Sequence, residues 1–168
     1  MWYVVQVRTG MEEEIKTQCD RVIDGQILQR CFIPYYKSLK KYEGEWHIEQ
    51  KILFPGYLFV ITENVEGLYM ELKKVLGLTK LIGMGKDILP LSENEITFLK
   101  LCGKSEMIVD ISVGVIEHGA LHILKGPLKG LERCVKKIDR HKRKAYIEVE
   151  IAGEIKKTQV GLEVIEKE

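Results

Sequence analysis

The sequence lacks the features of a secreted or membrane protein. No run of about eighteen apolar residues occurs anywhere in its 168 residues, so no membrane-spanning helix is expected. The N-terminal stretch Met1–Arg8 has no basic start followed by a long apolar core, which a secretory signal requires. These absences predict a cytoplasmic protein with no membrane partner.

Cysteine and histidine are scarce, and their spacing does not indicate a metal site. The cysteines form no CxxC pair, so we expect reduced thiols that are mostly buried. His118 and His122 stand four residues apart, but they lie in a strand-like segment with no cysteine or third histidine nearby. No metal site is therefore predicted. The cysteines are Cys19, Cys31, Cys102 and Cys134.

The motifs of common enzymes are also missing. The sequence shows no Ser/His/Asp set and no paired-carboxylate signature, and Gly83–Lys86 lacks the spacing of a phosphate-binding loop. We therefore expect a binding protein rather than an enzyme, with no catalytic residues and no cofactor.

Charge is nearly balanced overall but unevenly distributed. The net charge is +1, with 45% hydrophobic and 30% charged residues, which is typical of a globular protein. From Gly114 to Glu168 there are twelve Lys and Arg against nine Asp and Glu, whereas the rest of the chain carries fourteen against sixteen. The positive charge of the C-terminal part is clustered, which favours an anionic partner there.

The N-terminal part alternates strand and helix patterns. Its order is β-α-β-β-α-β-α, which predicts an α+β domain with an antiparallel sheet and flanking helices. Ser92 and Glu95 form a capping box that begins the last helix. Strands are predicted at Trp2–Val7, Ile27–Ile33, Tyr57–Ile61 and Leu78–Met84, and helices at 11–23, 66–75 and 93–103.

A basic, aromatic hairpin is predicted inside this part. Tyr35–Tyr42 and Trp46–Ile52 are extended, and Glu43–Glu45 supplies the turn. Such a hairpin is either a solvated face or a contact with a nucleic-acid backbone, because lysines neutralise phosphate and aromatic rings stack on bases.

The C-terminal part has short strands separated by glycine turns, which predicts a small β-barrel. We expect domains at 1–104 and 113–168, joined by a linker at 105–112. Leu128, Leu131, Val135 and Ile138 also fit a helical period, so a local helix there is an alternative. Strands are predicted at Leu121–Leu124, Arg133–Ile138, Ala145–Ile151 and Lys157–Val160.

Three motifs in order resemble the NusG family of transcription elongation factors. They are Trp2-Tyr3-Val4-Val5 followed by Arg8-Thr9-Gly10, Phe54-Pro55-Gly56-Tyr57-Leu58-Phe59-Val60, and Gly126-Pro127-Leu128-Lys129-Gly130-Leu131-Glu132. The last is similar to the centre of a KOW module. The resemblance implies an α+β N-terminal domain and a C-terminal SH3-like barrel of five strands.

The resemblance also implies a function. In this family the N-terminal domain docks on the clamp helices of the largest RNA polymerase subunit and raises processivity. The KOW domain recruits a small-subunit ribosomal protein, a termination factor or RNA. The basic segment Ile138–Ala145 departs from the general pattern and resembles LoaP, a specialised branch that promotes antitermination on particular operons. The alternative is an RNA- or ribosome-binding KOW protein that does not act on polymerase.

Candidate binding residues follow from these matches. By the resemblance, the polymerase contact falls on Tyr57 and Phe59, which alternate onto one face of a strand, with Leu81 and Ile88 as weaker candidates. The alternative is that all of these are core residues. Trp2 and Val4 are expected to support the sheet.

The C-terminal candidates form two groups. Leu128 and Leu131 either contact a protein partner of the KOW domain or close its core. A basic turn is expected to bind nascent RNA or DNA, because its positive charges neutralise phosphate groups. The alternative is a solvated or ribosome-facing surface. The residues of that turn are Lys136, Lys137, Arg140, His141, Lys142, Arg143 and Lys144.

We expect a monomer.

Overall fold

The computed structural model describes residues 1–75, 78–81, 90–103 and 107–165. The chain forms two compact units. No helix within these ranges combines the length and apolar character needed to cross a bilayer. The domain limits 1–104 and 113–168 remain a prediction. The first unit comprises Met1–Ile33, Phe54–Thr97 and Ile151–Gly153, and the second comprises Pro34–Leu53, Phe98–Glu150 and Glu154–Glu168.

The first unit is built on an antiparallel four-stranded sheet in the order β2-β5-β1-β6. Helix α1 contacts β2 and β5. The predicted antiparallel sheet with flanking helices is confirmed. Its elements are β1 (Trp2–Val7), α1 (Glu12–Val22), β2 (Arg30–Phe32), β5 (Tyr57–Ile61), α2 (Val65–Leu72) and β6 (Leu78–Leu81).

One strand prediction in this unit is wrong at its start. The segment Ile27–Ile33 was expected to be extended, but only Arg30–Phe32 is a strand. The Asp24 carbonyl accepts hydrogen bonds from the backbone amides of Ile27 and Leu28. The Asp24 side chain also accepts a hydrogen bond from the Gln26 amide. Such a local side-chain hydrogen bond to the backbone competes with strand pairing, so the chain turns here instead of extending.

A buried carboxylate holds the turn before β5 in place. Glu12 is 2% exposed and accepts hydrogen bonds from the Gly10 and Gly56 amides. The Gly56 carbonyl accepts in turn from the Val7 amide. The Pro55-Gly56 turn is therefore tied to both β1 and α1, and this connection fixes where Tyr57 begins β5.

The second unit contains a three-stranded sheet in the order β4-β3-β7. The hairpin of β3 and β4 is confirmed: Tyr42 pairs with Glu45, and Glu43 (φ 52°) and Gly44 (φ 77°) form the two-residue loop. Both loop residues have positive φ, as the turn type that matches strand twist requires. The strands are β3 (Tyr35–Tyr42), β4 (Glu45–Ile52) and β7 (Ile108–Val109), and α3 (Glu93–Gly103) precedes β7.

The same unit contains a five-stranded sheet in the order β10-β11-β12-β8-β9. The predicted C-terminal strands are present, but the strand expected at Arg133–Ile138 begins only at Val135, and the one expected at Lys157–Val160 is part of the longer Glu154–Val164. Ser112–Glu117 was not among the predicted strands. The strands are β8 (Ser112–Glu117), β9 (Ala120–Lys125), β10 (Val135–Asp139), β11 (Lys144–Ile151) and β12 (Glu154–Val164).

The helical alternative at 128–138 is realised only as a single 3₁₀ turn at Glu132–Cys134. Gly126 (φ 108°) precedes it, and a Cβ there would lie 2.6 Å from the Cα of Ser112. The Ser112 hydroxyl accepts a hydrogen bond from the Leu128 amide at 3.1 Å. The glycine turn therefore packs tightly on β8 and sends Leu128 into the core.

The hairpin packs against the five-stranded sheet within the second unit. Strand β12 contacts β3. The Thr158 hydroxyl donates a hydrogen bond to the carbonyl of Leu53, at the end of the hairpin. This packing brings the hairpin close to the loop that joins β10 and β11.

Candidate nucleic-acid interface

The loop between β10 and β11 holds only Arg140–Lys144 of the predicted basic residues, because Lys136 and Lys137 lie in β10, and we keep the name basic turn for Arg140–Lys144. Asp139 pairs with Lys144 across its base, and the Asp139 carboxylate accepts a hydrogen bond from the Lys142 amide at 2.9 Å. That hydrogen bond, followed by nearby cationic side chains, lowers the pKa of Asp139 below its usual value. The loop is thus shaped by its own carboxylate, while the side chains of Arg140, His141 and Lys142 remain exposed.

Arg143 is the most constrained residue of the basic turn. Its guanidinium carbon lies 4.1 Å from the centroid of the Trp46 ring in β4. One of its Nη atoms lies 3.7 Å from the Glu163 carboxylate, and its carbonyl accepts a hydrogen bond from the Leu162 amide at 3.0 Å. Its φ of 54° places it in the left-handed region. The ring of Trp46 and strand β12 therefore hold one cation in a defined position.

The hairpin and the basic turn enclose one cleft, which we call the basic cleft. Its volume is ≈ 620 Å³. The sequence places its two sides far apart in the chain, and no sequence pattern predicted that they would meet. The lining residues are Ser38, Leu39, Lys40, Lys41, Trp46, Lys51, Arg140, His141, Lys142, Arg143 and Lys144.

The lining is strongly positive. Seven of the lining residues are Lys or Arg, and none is acidic. Among the described residues, no ion pair involves Lys40, Lys41, Lys51 or Arg140. Unpaired cations that converge on one cleft attract a polyanion and gain entropy when it releases its counterions. The basic cleft therefore has the chemistry to bind phosphate groups.

The two remaining predicted cations lie elsewhere. Lys136 donates to the carbonyl of Arg133, and Lys137 lies 5.5 Å from the centroid of the Tyr146 ring. Both line a smaller cavity of ≈ 310 Å³ with Ile116 and Leu121, among other residues. The structure thus brings Arg140–Lys144 together with the hairpin and leaves Lys136 and Lys137 outside the basic cleft.

The expected polymerase contact at β5 needs a correction. Tyr57 and Phe59 share one face of the strand, and Tyr57 is half-buried. Phe59 is 0% exposed, so the expectation that it offers a contact surface is wrong. The rings of Phe32 and Phe54 cover it, with centroids 5.6 Å and 5.9 Å away. Phe59 is therefore a core residue, although it lies on the same face of β5 as Tyr57.

The weaker candidates are only partly placed. Leu81 lies in β6, where its backbone pairs with Val5 of β1. Ile88 lies outside the described residues. Val4 is buried at 1% exposure, and the Trp2 ring contacts Phe32 edge-on at 5.3 Å, which fits the expected supporting role.

The two leucines of the glycine turn have different environments. Of the two interpretations of Leu128, the core residue is confirmed and the partner contact is wrong, because its side chain is 0% exposed. The cause is the close packing of Gly126 on Ser112. Leu131 is half-buried and remains a candidate for a protein contact.

Among the described residues, cysteine and metal-ligand chemistry add no second candidate site. Cys19 and Cys31 are free and buried, and Cys134 is free and half-buried. Hydrogen bonding to Cys19 and burial raise the pKa of Cys31, which makes a reactive thiolate unfavourable there. Within the ranges that the structure describes, no group of three or more potential metal ligands comes together.

Comparisons with known proteins agree on one family. The family model described as "Transcription termination factor nusG" matches residues 1–100. The chain is 26% identical over 170 residues to the "Transcription termination/antitermination protein NusG" of Bacillus subtilis, covering 96% of this chain and 94% of that protein. It is 27% identical over 166 residues to the protein of that name from Thermus thermophilus, covering 90% of each.

A solved structure supports the fold. The chain resembles the structure described as "Domain interaction in Thermotoga maritima NusG" with a TM-score of 0.59 and 21% identity. The similarity covers 96% of this chain and 92% of that one. The five-stranded C-terminal sheet is consistent with the KOW domain that the sequence predicted.

Proposed function

The chain belongs to the NusG family of transcription termination and antitermination factors, and on that premise we propose that it binds RNA polymerase and promotes processive antitermination at specific operons. The observation that carries the proposal is the match of the family model to residues 1–100. A factor of this kind acts in the bacterial cytoplasm, works by binding rather than catalysis and needs no cofactor.

The first unit supplies the polymerase contact in this proposal. Its partner is the pair of clamp helices of the largest polymerase subunit. Tyr57 is the anchor, because its aromatic side chain is partly exposed, whereas Phe59 on the same face of β5 is buried. Aromatic anchors of this kind commonly dominate the energy of a protein interface. Leu81 and Ile88 are further candidates for the same surface.

Replacing Tyr57 tests this contact. Tyr57→Ala is expected to weaken retention of the protein on immobilised core RNA polymerase by about tenfold or more, because truncating an aromatic anchor removes much of an interface's energy. The thermal unfolding curve should change little, since Tyr57 is only half-buried. Met70→Ala, which alters an exposed apolar side chain in α2, is the matched control and should bind like the wild type.

Unchanged retention of a folded Tyr57→Ala protein would remove Tyr57 from the contact. Failure of the wild-type protein to bind core polymerase would overturn the proposed function itself. It would then favour the alternative of an RNA- or ribosome-binding KOW protein that does not act on polymerase.

The second unit supplies operon specificity in this proposal. The basic cleft binds nascent RNA, which recruits the factor to particular transcripts in the manner of the LoaP branch that the basic turn resembles. Its support is the convergence of seven Lys and Arg on one cleft without an acidic lining residue. Leu131 remains the candidate for a protein partner, such as a small-subunit ribosomal protein.

A further inference from the structure

We infer that the β3–β4 hairpin and the basic turn form one composite site for single-stranded RNA, in which Arg143 stacked on Trp46 holds an unpaired base. The inference rests on the proposed function, because it specifies how the RNA contact is made. Its new content is that half of the site lies on the hairpin, outside the KOW module, and that the ligand is a single strand.

Both walls of the basic cleft carry cations. The hairpin contributes Lys40, Lys41 and Lys51, and the turn contributes Arg140 and Lys142. Like charges brought together by folding repel one another, and this repulsion is relieved when a polyanion lies between them. A phosphate backbone that runs along the cleft is therefore neutralised from two sides, and removing either set should weaken binding.

The floor of the site is a preorganised stacking surface. The guanidinium group of Arg143 lies 4.1 Å from the Trp46 centroid, and its side chain is 33% exposed. The Glu163 carboxylate contacts the guanidinium group at 3.7 Å, and the Leu162 amide donates a hydrogen bond to the Arg143 backbone carbonyl, so both ends of the residue are held. A planar cation that is already held over an aromatic ring stacks on a nucleobase with little additional loss of entropy.

The shape of the site favours a single strand over a duplex. Bases in a duplex are stacked on one another and present only their edges, whereas an unpaired base offers its face. The cleft volume of ≈ 620 Å³ is in the range of pockets that enclose a small group, about 300–1,000 Å³. The cleft therefore suits one or a few splayed nucleotides.

The first test removes the lysines of the hairpin from the full-length protein. Binding of a labelled single-stranded RNA of about twelve nucleotides is measured by fluorescence anisotropy at several salt concentrations. The triple variant Lys40→Ala/Lys41→Ala/Lys51→Ala is expected to bind at least about tenfold more weakly at low salt. Its salt slope should be smaller by about 2, because each phosphate contact on a single strand contributes about 0.7.

The matched control removes the same charge elsewhere in the second unit. Lys125, Lys129 and Lys157 are exposed and do not line the basic cleft, so their replacement with alanine should leave the slope within about 0.5 of the wild type. The basic-turn variant replaces Arg140, Lys142, Arg143 and Lys144 with alanine. If the hairpin variant behaves like the control while the basic-turn variant loses affinity, the composite site is wrong and the proposed function stands. If the wild type does not bind RNA at low salt, both this inference and the RNA part of the proposed function are wrong, whereas polymerase retention is judged separately.

The second test addresses the stacking surface. Trp46→Ala should weaken RNA binding by about tenfold or more, because it removes the ring that holds the Arg143 guanidinium group in place and one stacked base contributes roughly that much, whereas Trp46→Phe should retain most of the affinity. Wild-type affinity in a folded Trp46→Ala protein would contradict the role of this ring. Tighter binding of a duplex of the same sequence than of the single strand would contradict the assignment of the ligand.

Discussion

Phe59→Ala is expected to lower the free energy of unfolding by about 3–5 kcal/mol, the usual cost of removing a buried phenylalanine side chain. Phe59 is fully buried between the rings of Phe32 and Phe54, so truncation leaves a cavity that this aromatic cluster cannot fill. Many domains are stable by only about 5–15 kcal/mol, so the loss is a large fraction of the total. Urea unfolding followed by circular dichroism measures it.

The control for this prediction is Met70→Ala. Met70 is 58% exposed in α2 of the same unit, so its replacement should change the unfolding free energy by no more than about 0.5 kcal/mol. A Phe59→Ala protein with wild-type stability and weakened polymerase binding would contradict the core assignment and restore the surface role that the sequence suggested.

Replacing Arg140, Lys142, Arg143 and Lys144 together with alanine is expected to lower RNA affinity by about two orders of magnitude at low salt. Three of the lost cations, Arg140, Lys142 and Lys144, line the basic cleft as phosphate contacts, so the salt slope should fall by about 2. The loss also removes the cation stacked on Trp46. Anisotropy titrations of single-stranded RNA between about 50 mM and 200 mM salt measure both quantities.

A charge-matched variant separates a local effect from a change in net charge. Replacing Lys74, Lys125, Lys129 and Lys157 with alanine removes the same four charges from exposed positions outside the cleft. This control should bind RNA nearly as well as the wild type. Equal losses in the two variants would mean that net charge, rather than the basic cleft, governs binding.

Elements with local determinants were predictable from the sequence. Ser92 and Glu95 exchange the two capping hydrogen bonds that their spacing predicts, at 2.7 Å and 3.2 Å. Glu43 and Gly44 adopt the positive φ angles that a two-residue hairpin loop requires. Each of these features depends on residues within a few positions of one another, so the sequence pattern carries the necessary information.

Burial in β5 was only partly predictable. Strand alternation placed Tyr57 and Phe59 on one face, and the regular pairing of β5 with β1, Tyr57 with Gln6 and Phe59 with Val4, agrees with it. Alternation does not determine what covers that face. Phe32 and Phe54 provide the cover, and they reach Phe59 through the sheet pairing of β2 and through the turn before β5.

The basic cleft was not predictable as one site. The sequence marked the hairpin and the basic turn separately, and no local pattern reports their contact. They meet because β12 contacts β3 and holds Arg143 through the Leu162 amide, which are long-range interactions of the folded second unit. The burial of Leu128 in the glycine turn could not be predicted for the same reason, because it depends on a hydrogen bond to Ser112, which is distant in the sequence.

The most direct test of the central claim is transcription in vitro by bacterial core polymerase across an intrinsic terminator, with and without the protein. Templates differ only in the leader RNA. If the protein is an RNA-recruited antiterminator, read-through should rise on the template with its own operon leader and fall to the basal level when the leader is exchanged. The basic-turn variant should lose this effect. Unchanged read-through on the native leader, with protein that binds both polymerase and RNA, would contradict the account.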